Sequence, residues 1–344
     1  MKDINDSSIF TNMSTLIANS SKDHDAATQA LIEVYLKFEL ASVVFLVLLA
    51  AVTIPTNILL LMLIRMDPLK CFNKPTTPFI VGLAVADLLT GLTTEPFFAI
   101  YYYARHISPS RTVSPGVLLL YRAGQFASTV AISSSFLIVL ALSWSQYIAV
   151  AFPHRYSTLI TRKRVTVCVC GSWVYFFCFS LLQFAKIDLI SFLKADLVLH
   201  PTLISAVLLI TIILLYKSFQ QEIQRKRSFA GRSKNDHENR ARKEAENIER
   251  QFTIVTIYLA GILLASALPH MVIQYVFLYG TFSVRGHMYL SICLRVRDLL
   301  LFLKVALDAF IYAWRLKTYR QTFQHTVKCC VFKRKDNGGN SLII

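Results

Sequence analysis

Residues 38–64 read FELASVVFLVLLAAVTIPTNILLLMLI, an apolar stretch long enough to cross the hydrocarbon core of a bilayer as a helix. Six further apolar runs along the chain pass the same length test. They lie at 77–101, 117–149, 165–186, 197–219, 252–279 and 288–314. The sequence therefore predicts an all-α membrane protein built as a bundle of seven transmembrane helices.

The composition excludes classes of protein that the charge alone would allow. Hydrophobic residues make up 55% of the 344 residues, while the formal net charge is +16. Nucleic-acid-binding proteins are also basic, but they do not interrupt their basic residues with repeated apolar runs of about 20 residues. We therefore expect membrane lipids, and no nucleic acid, around this chain. The sequence shows no nucleotide-binding loop, metal-ligand spacing or hydrolase motif, so we expect neither an enzyme nor a metal site.

The distribution of Lys and Arg predicts the orientation in the membrane. If the C-terminus is cytoplasmic, 24 of the 36 Lys and Arg residues fall in cytoplasmic segments, as the positive-inside rule requires. Three N-x-Ser sequons, at Asn5, Asn12 and Asn19, crowd the N-terminal tail and would be glycosylated only if that tail lies on the extracellular side of the membrane. Both signals predict a multi-pass plasma-membrane protein with an extracellular N-terminus.

The same boundaries divide the chain into four parts. We expect a glycosylated tail at 1–37, the seven-helix domain at 38–314, a short amphipathic membrane-surface helix at 315–330 and a cytoplasmic tail at 331–344. The third cytoplasmic loop, about 220–250, is highly charged, but Arg242, Glu246 and Arg250 are spaced four apart and predict a helical extension of the sixth helix. Cys329 and Cys330 lie beside basic residues and predict palmitoylation, with unmodified thiols as the alternative.

Several motifs stand in order along these helices. The second helix contains LAVADLL around Asp87, and the third ends in ALSWSQYIAVAFPHRY. Other helices contribute Asn57, Trp173, Tyr216, Pro269 and, at the end of the seventh, DAFIYAWRLKTYRQTF. Together these features resemble the rhodopsin-like (class A) family of G-protein-coupled receptors over about residues 38–330. The resemblance implies a cell-surface receptor that passes the signal of an extracellular polar small-molecule or peptide ligand to a heterotrimeric G protein.

The chain departs from the family's pattern where activation is usually controlled. Ser145, Gln146 and Tyr147 replace Asp-Arg-Tyr, and Ala267 replaces the tryptophan before Pro269. Tyr121 stands where the family has a disulfide cysteine. In lacking that cysteine the chain resembles the melanocortin- and adenosine-like group of receptors. The resemblance implies an activation switch formed by Gln146, Tyr147, Tyr216, Glu249, Pro269 and Tyr312. With neutral Gln146 opposite Glu249 we expect a weaker resting latch, unless Glu249 is an ordinary solvated charge.

Ionisable residues at membrane depth are costly and therefore candidates for function. Lys304 and Asp308 lie four apart on one helical face, and the resemblance places that face against Asp87 and Ser135, where many relatives hold sodium. We expect no cofactor, because the Lys304 ammonium replaces such an ion. Two carboxylates and one ammonium would have a net charge of minus one if all three were charged. Either one carboxyl is therefore protonated or a small cation also binds. Lys304 could instead snorkel toward water, which its mid-helix position disfavours.

A second polar set lies in the predicted outer half of the bundle. The resemblance implies a ligand pocket lined by Glu95, Gln125, Ser128, Thr129, His270, Gln274, Arg295 and Asp298. Charges of both signs favour a polar, zwitterionic or peptidic ligand, although hydrogen bonds between helices would explain each residue equally well. Ser128 replaces the aspartate of amine receptors and Phe302 the lysine of opsins, so neither an amine receptor nor a photoreceptor is indicated.

Two other functions remain open from the sequence. A transporter or ion pump could use Asp87, Lys304 and Asp308 as a relay for ions or protons. Alternatively, a receptor-shaped protein that has lost the third-helix arginine could bind its ligand without activating a G protein.

Overall fold

The computed structural model describes residues 26–67, 74–108, 112–185, 188–229, 236–315 and 320–325. Seven long helices follow one another in this part of the chain, which contains no strand. They are α1 (Ala26–Met66), α2 (Thr77–Ile107), α3 (Pro115–Ala151), α4 (Arg162–Leu181), α5 (Leu189–Leu197, Val198–Thr202 and Leu203–Phe229), α6 (Asp236–Tyr279) and α7 (Val284–Arg315). A short helix, Pro153–Leu159, joins α3 to α4, and residues 320–325 are helical.

Each predicted apolar run coincides with one helix, which confirms the seven-helix, all-α architecture for the described residues. Six helices, α1 to α6, are long and apolar enough to cross a membrane. The seventh, α7, is long enough but carries charged residues along its length, including Lys304 and Asp308. Large apolar side chains such as Val47, Val174 and Ile210 face outward from the bundle, as expected where lipid is the solvent.

The helices extend beyond the hydrophobic runs at three places. Helix α1 already begins at Ala26, inside the predicted tail 1–37. Helices α5 and α6 reach Phe229 and Asp236, well into the predicted loop 220–250, and the predicted extension of the sixth helix is confirmed. Hydropathy identifies only the part of a helix that lies within the membrane. The backbone hydrogen bonds of the helix continue into the polar sequence beyond it. The Glu33–Lys37 ion pair at 2.7 Å stabilises such a segment.

Helix α3 lies at the centre of the bundle and packs against α2, α4, α5 and α6, while α1 packs against α2 and α7. Close approach depends on small residues, as is common between helices in membranes. A Cβ atom added at Gly82 of α2 would lie 2.6 Å from Val169 of α4, and one at Gly124 of α3 would lie 3.1 Å from Phe98 of α2. Glycine at these two positions therefore lets α2 pack closely against α4 and α3.

Two helices contain π-helical turns next to prolines. In α2 the turn Thr90–Thr94 directly precedes Glu95 and Pro96, and in α5 the turn Val198–Thr202 includes Pro201. Proline cannot donate a backbone hydrogen bond and displaces the carbonyl one turn before it, so the helix widens locally. Both turns change the direction in which the neighbouring side chains of α2 and α5 point.

Candidate functional site

A cavity of about 310 Å³ lies among α3, α5, α6 and α7. It occupies the half of the bundle in which α1 begins, which we call the N-terminal side, and the opposite half is the C-terminal side. The volume is at the low end of small-molecule sites, which span roughly 300–1,000 Å³. The wall combines aromatic side chains, such as Phe192, Phe277 and Phe302, with polar groups from four helices.

The cavity brings together six of the eight residues predicted for the ligand pocket. They are Gln125, Ser128 and Thr129 of α3, His270 and Gln274 of α6, and Asp298 of α7. Each is partly exposed to the cavity. Residues that lie far apart in the sequence therefore converge on one volume at the N-terminal side.

The other two predicted pocket residues, Glu95 and Arg295, do not line the cavity. Glu95 is fully buried near α1, where the hydroxyl of Thr53 faces it without reaching hydrogen-bond geometry. The Arg295 guanidinium lies 3.3 Å from the centre of the Tyr102 ring of α2. A step of three residues rotates a helical side chain by about 60°, so Arg295 and Asp298 can contact different neighbouring helices.

Arg297, which the sequence analysis did not select, is the basic residue of the cavity wall. Its Nε and Nη2 donate to Oδ1 of Asp298 at 2.9 and 2.7 Å, and Nη1 donates to Oε1 of Gln274 on α6. Arg297 thereby connects α6 and α7 across the cavity. Its position beside Asp298 was a weak signal, because adjacent residues in a helix normally face different directions.

A second polar group, which the sequence analysis also missed, links α4 and α5. Nδ1 of His200 lies 2.7 Å from Oδ1 of Asp196, and Nε2 of the same ring lies 3.0 Å from the Tyr175 hydroxyl. Asp196 and His200 line the cavity, and the His200 ring packs edge-on against Phe176 and Phe179. The spacing of four residues between Asp196 and His200 was the available signal.

The predicted intramembrane cluster is assembled in the core. Nζ of Lys304 lies 2.7 Å from Oδ2 of Asp308 and donates to Oγ of Ser135 on α3 at 3.2 Å. The side chains of Lys304 and Asp308 are 1% and 0% exposed, so Lys304 does not snorkel toward water. Asp87 of α2 is also buried and close enough to interact electrostatically with both.

Of the predicted switch residues, Gln146, Tyr147 and Tyr216 lie toward the C-terminal side, whereas Pro269 directly precedes the cavity residue His270. Gln146 of α3 is buried, and its Oε1 accepts a hydrogen bond from the Thr253 hydroxyl of α6 at 3.4 Å. Tyr147 packs against Trp144, Tyr216 faces outward, and Pro269 lies within α6. The side chains of Glu249 and Tyr312 lie outside the described residues, as do Asn5, Asn12, Asn19, Cys329 and Cys330. Their predicted roles stay predictions.

Buried contacts join α1, α2 and α3 at the N-terminal side. The Tyr121 ring stacks on Tyr101, with ring centres 4.0 Å apart and planes inclined by 18°. Nε of Arg105 lies 2.9 Å from Glu39 of α1, both side chains being almost fully buried, and Arg105 also donates to the Tyr35 hydroxyl. We call the rings of Phe98, Tyr101, Tyr102 and Tyr121 the aromatic cluster.

Comparison with known proteins places the chain in one family. The family described as 7 transmembrane receptor (rhodopsin family) matches residues 56–312. The histamine H2 receptor of Cavia porcellus is 32% identical over 131 residues, which cover 38% of this chain and 34% of that receptor. The adenosine receptor A2b of Bos taurus is 29% identical over 154 residues, which cover 44% of this chain and 40% of that receptor.

The chain thus spans little more than a third of the length of the curated relatives it matches. The family match is broader: it extends over well over half of the sequence and reaches all seven helices. The order of the helices and the convergence of polar residues on the N-terminal side agree with that match. The chain belongs to the rhodopsin family of seven-transmembrane receptors.

Proposed function

We propose that the cavity among α3, α5, α6 and α7 is the ligand site of a plasma-membrane G-protein-coupled receptor, and that a small polar ligand bound there activates a heterotrimeric G protein. The observation that carries this proposal is the convergence of Gln125, Gln274, Asp298 and Arg297 on one cavity of about 310 Å³. The two relatives described above are named for histamine and adenosine, both small polar molecules.

The orientation supports access of such a ligand from outside the cell. The positive-inside distribution of Lys and Arg supports an extracellular N-terminal side, and with it an extracellular opening of the cavity. We expect glycosylation of at least one of Asn5, Asn12 and Asn19, so glycosidase treatment of protein made in eukaryotic cells should increase its gel mobility. The absence of a shift, with an N-terminal tag accessible only after permeabilisation, would contradict this orientation.

Helix α6 offers a physical route from the cavity to the C-terminal side. Near the cavity it is held by the Arg297–Gln274 contact and by a 3.2 Å hydrogen bond between the hydroxyls of Tyr275 and Thr202 of α5. Near its other end it is held by the contact of Thr253 with Gln146. Helix α6 runs over 44 residues with Pro269 inside it, so a ligand that shifts the segment after Pro269 can change the angle of the segment that carries Thr253. The ligand must bind the two arrangements with different affinities.

The proposal is tested by screening small polar compounds for G-protein dissociation in cells that express the chain. For an active compound, Gln274→Ala should lower the potency by roughly tenfold or more, the effect of losing a hydrogen bond to a charged or polar group. Val272→Ala is the matched control, because Val272 lies on the same helix but faces outward. Equal potency losses in both variants would contradict the site.

The same cells distinguish the two alternative functions. Substrate uptake or membrane currents without G-protein dissociation would indicate that the chain is a transporter or pump and not a receptor. Saturable binding of a compound without G-protein dissociation would identify a receptor-like protein that no longer signals, in keeping with Gln146 at the end of α3.

A further inference from the structure

Asp196 gives the cavity a negative charge that the described part of the protein does not neutralise. Its side chain is 27% exposed and lines the cavity, and its partner there is the ring of His200. The neighbouring Lys194 points elsewhere, with Nζ 4.7 Å from the centre of the Tyr279 ring. The state of His200 therefore decides whether Asp196 keeps its charge uncompensated.

The hydrogen bonds of His200 fit a neutral ring. An ionised carboxylate can only accept, so Nδ1 carries the hydrogen that is donated to Asp196 across 2.7 Å. Nε2 is then free to accept from the Tyr175 hydroxyl at 3.0 Å. Both nitrogens are satisfied without a second proton, and Tyr175 has an acceptor for its own. In this tautomer, which leaves Nε2 without a hydrogen, the ring holds Asp196 in place without cancelling its charge.

The other charged groups of the cavity wall compensate each other. Arg297 is the one Lys or Arg among the described residues that line the cavity, and its donors are directed at Asp298 and Gln274. Among the described lining residues, with the rings of His200 and His270 neutral, two carboxylates and one guanidinium leave one excess negative charge, which lies at Asp196. A charge in a confined, partly apolar cavity favours an oppositely charged partner, because water there solvates it incompletely.

We propose that Asp196 anchors a cationic group of the ligand, and that the receptor therefore binds an organic monocation: an ammonium, amidinium or guanidinium compound with an apolar body. This inference rests on the proposed function, since it takes the cavity to be the ligand site. Phe192 and Phe277 line the same volume and supply apolar contacts for the rest of the molecule. The anchor lies on α5, whereas the α3 wall offers only neutral polar groups such as Ser128.

The inference can be tested without knowing the ligand. A cysteine is introduced into the cavity wall by Ser128→Cys, and its reaction rates with a cationic trimethylammonium-ethyl and an anionic sulfonatoethyl methanethiosulfonate are compared in membranes. The ratio of the two rates, relative to that of a free thiol, reports the local potential. We expect the ratio to exceed that of the free thiol and to fall by about tenfold when Asp196→Asn is added.

Controls isolate the effect of Asp196. The chain without the added cysteine gives the background from native thiols, and Thr129→Cys repeats the measurement at a second cavity position if Ser128→Cys fails to reach the surface. Asp188→Asn removes an identical charge from the exposed start of α5, and asparagine keeps the N-cap that Asp188 provides to Ser191. This control should leave the ratio unchanged.

The outcomes separate this inference from the proposed function. A ratio equal to that of the free thiol, or one that Asp196→Asn does not lower, overturns the cation site whatever the signalling results are. A ratio that falls as expected supports the site even if organic cations fail to dissociate a G protein, a result that would count against the receptor function alone.

Discussion

Lys304 places a charged group in the middle of the bundle, and the free-energy cost of burying this group depends on its neighbours. Transferring an ion from water to a protein interior costs several kcal/mol, which a close partner must offset. Asp308 at 2.7 Å and Ser135 at 3.2 Å provide that compensation, while Asp87 adds a second carboxylate nearby. The ammonium thus joins α7 to α3, with the Asp87 carboxylate of α2 close by.

We expect Lys304→Met to destabilise the folded protein by about 3–5 kcal/mol, because a buried carboxylate loses its partner while the side-chain volume is kept. The same change should make the protein sensitive to sodium, since Asp87 and Asp308 then repel each other and a cation relieves that repulsion. The measurement is thermal stability of purified protein against sodium concentration at matched ionic strength.

Lys163→Met provides the control, because Lys163 is exposed at the start of α4 and its loss should change neither stability nor sodium response. Strong and selective stabilisation of the unaltered protein by sodium would show that the Lys304 ammonium does not replace the ion. A Lys304→Met variant that is as stable and as insensitive to sodium as its parent would also contradict this role of the Lys304 ammonium.

At the scale of helices, the aromatic cluster joins α2 to α3 at the N-terminal side. Tyr121 stands where the family resemblance implies a disulfide cysteine, and its buried ring contacts Tyr101, Phe98 and Tyr102. Arg295 of α7 extends the contact through the face of Tyr102. Stacked and edge-on rings contribute about 0.5–1.5 kcal/mol per pair beyond the area they bury. Non-covalent packing of these rings therefore holds the start of α3 against the end of α2.

Tyr121→Ala should lower stability by about 3–5 kcal/mol, the usual cost of deleting a buried aromatic side chain. Tyr121→Phe keeps the stacked ring and should lose much less. Thermal unfolding of the purified variants, with and without reducing agent, gives both numbers. If the alanine variant unfolds like its parent, the aromatic cluster does not hold α2 and α3 together.

Helices α3 and α6 meet through a neutral contact at the C-terminal side. The hydrogen bond from Thr253 to Gln146 is long, at 3.4 Å, and joins two uncharged side chains. We expect Thr253→Val, which removes the donor and keeps the shape, to raise G-protein dissociation in the absence of ligand. Gln146→Arg should also change basal signalling, because it introduces a charged donor at the same place.

Basal signalling must be normalised to the amount of receptor at the cell surface, since both substitutions affect buried positions. Thr256→Val serves as a control on the same helix: its hydroxyl bonds to the α6 backbone at Phe252 rather than to another helix. Unaltered basal and stimulated outputs in both test variants would show that this contact does not control activation.

For the whole molecule, the sequence predicts a structural feature well when the feature depends on neighbouring residues, and poorly when it depends on how distant helices pack. The seven helices follow from apolar runs, since a membrane leaves a chain few ways to satisfy its backbone hydrogen bonds. The convergence of Gln125, His270 and Asp298 on one cavity followed from the family resemblance. The pairing of Arg297 with Gln274 depends on how side chains rotate between packed helices, and sequence spacing does not specify it. Asp196 and His200 are four residues apart on α5, so their pairing could have been read from the spacing.

Helix α7 shows that the bundle must assemble as a unit. On an insertion scale, Lys or Asp at the centre of a membrane helix costs about 2.5–3.5 kcal/mol, whereas each Leu, Ile, Phe or Val returns only about 0.3–0.6 kcal/mol. Lys304 and Asp308 together therefore oppose insertion of α7 by about 5–7 kcal/mol, a cost that their mutual contact reduces. The apolar residues of α7 and its packing, which is mainly against α6 and α1, offset the rest.

We expect residues 288–314, placed alone in a membrane-insertion reporter with flanking glycosylation sites, to insert inefficiently. Replacing both Lys304 and Asp308 by Leu should restore insertion, because the charged groups are removed and apolar area is added. Residues 197–219 of α5, which lie in a helix that is long and apolar enough to cross a membrane, serve as the positive control. The measurement is the ratio of singly to doubly glycosylated product. If the native segment inserts as efficiently as its Leu variant, α7 does not depend on Ser135 and Asp87 for its place in the membrane, and the buried cluster contributes nothing to assembly.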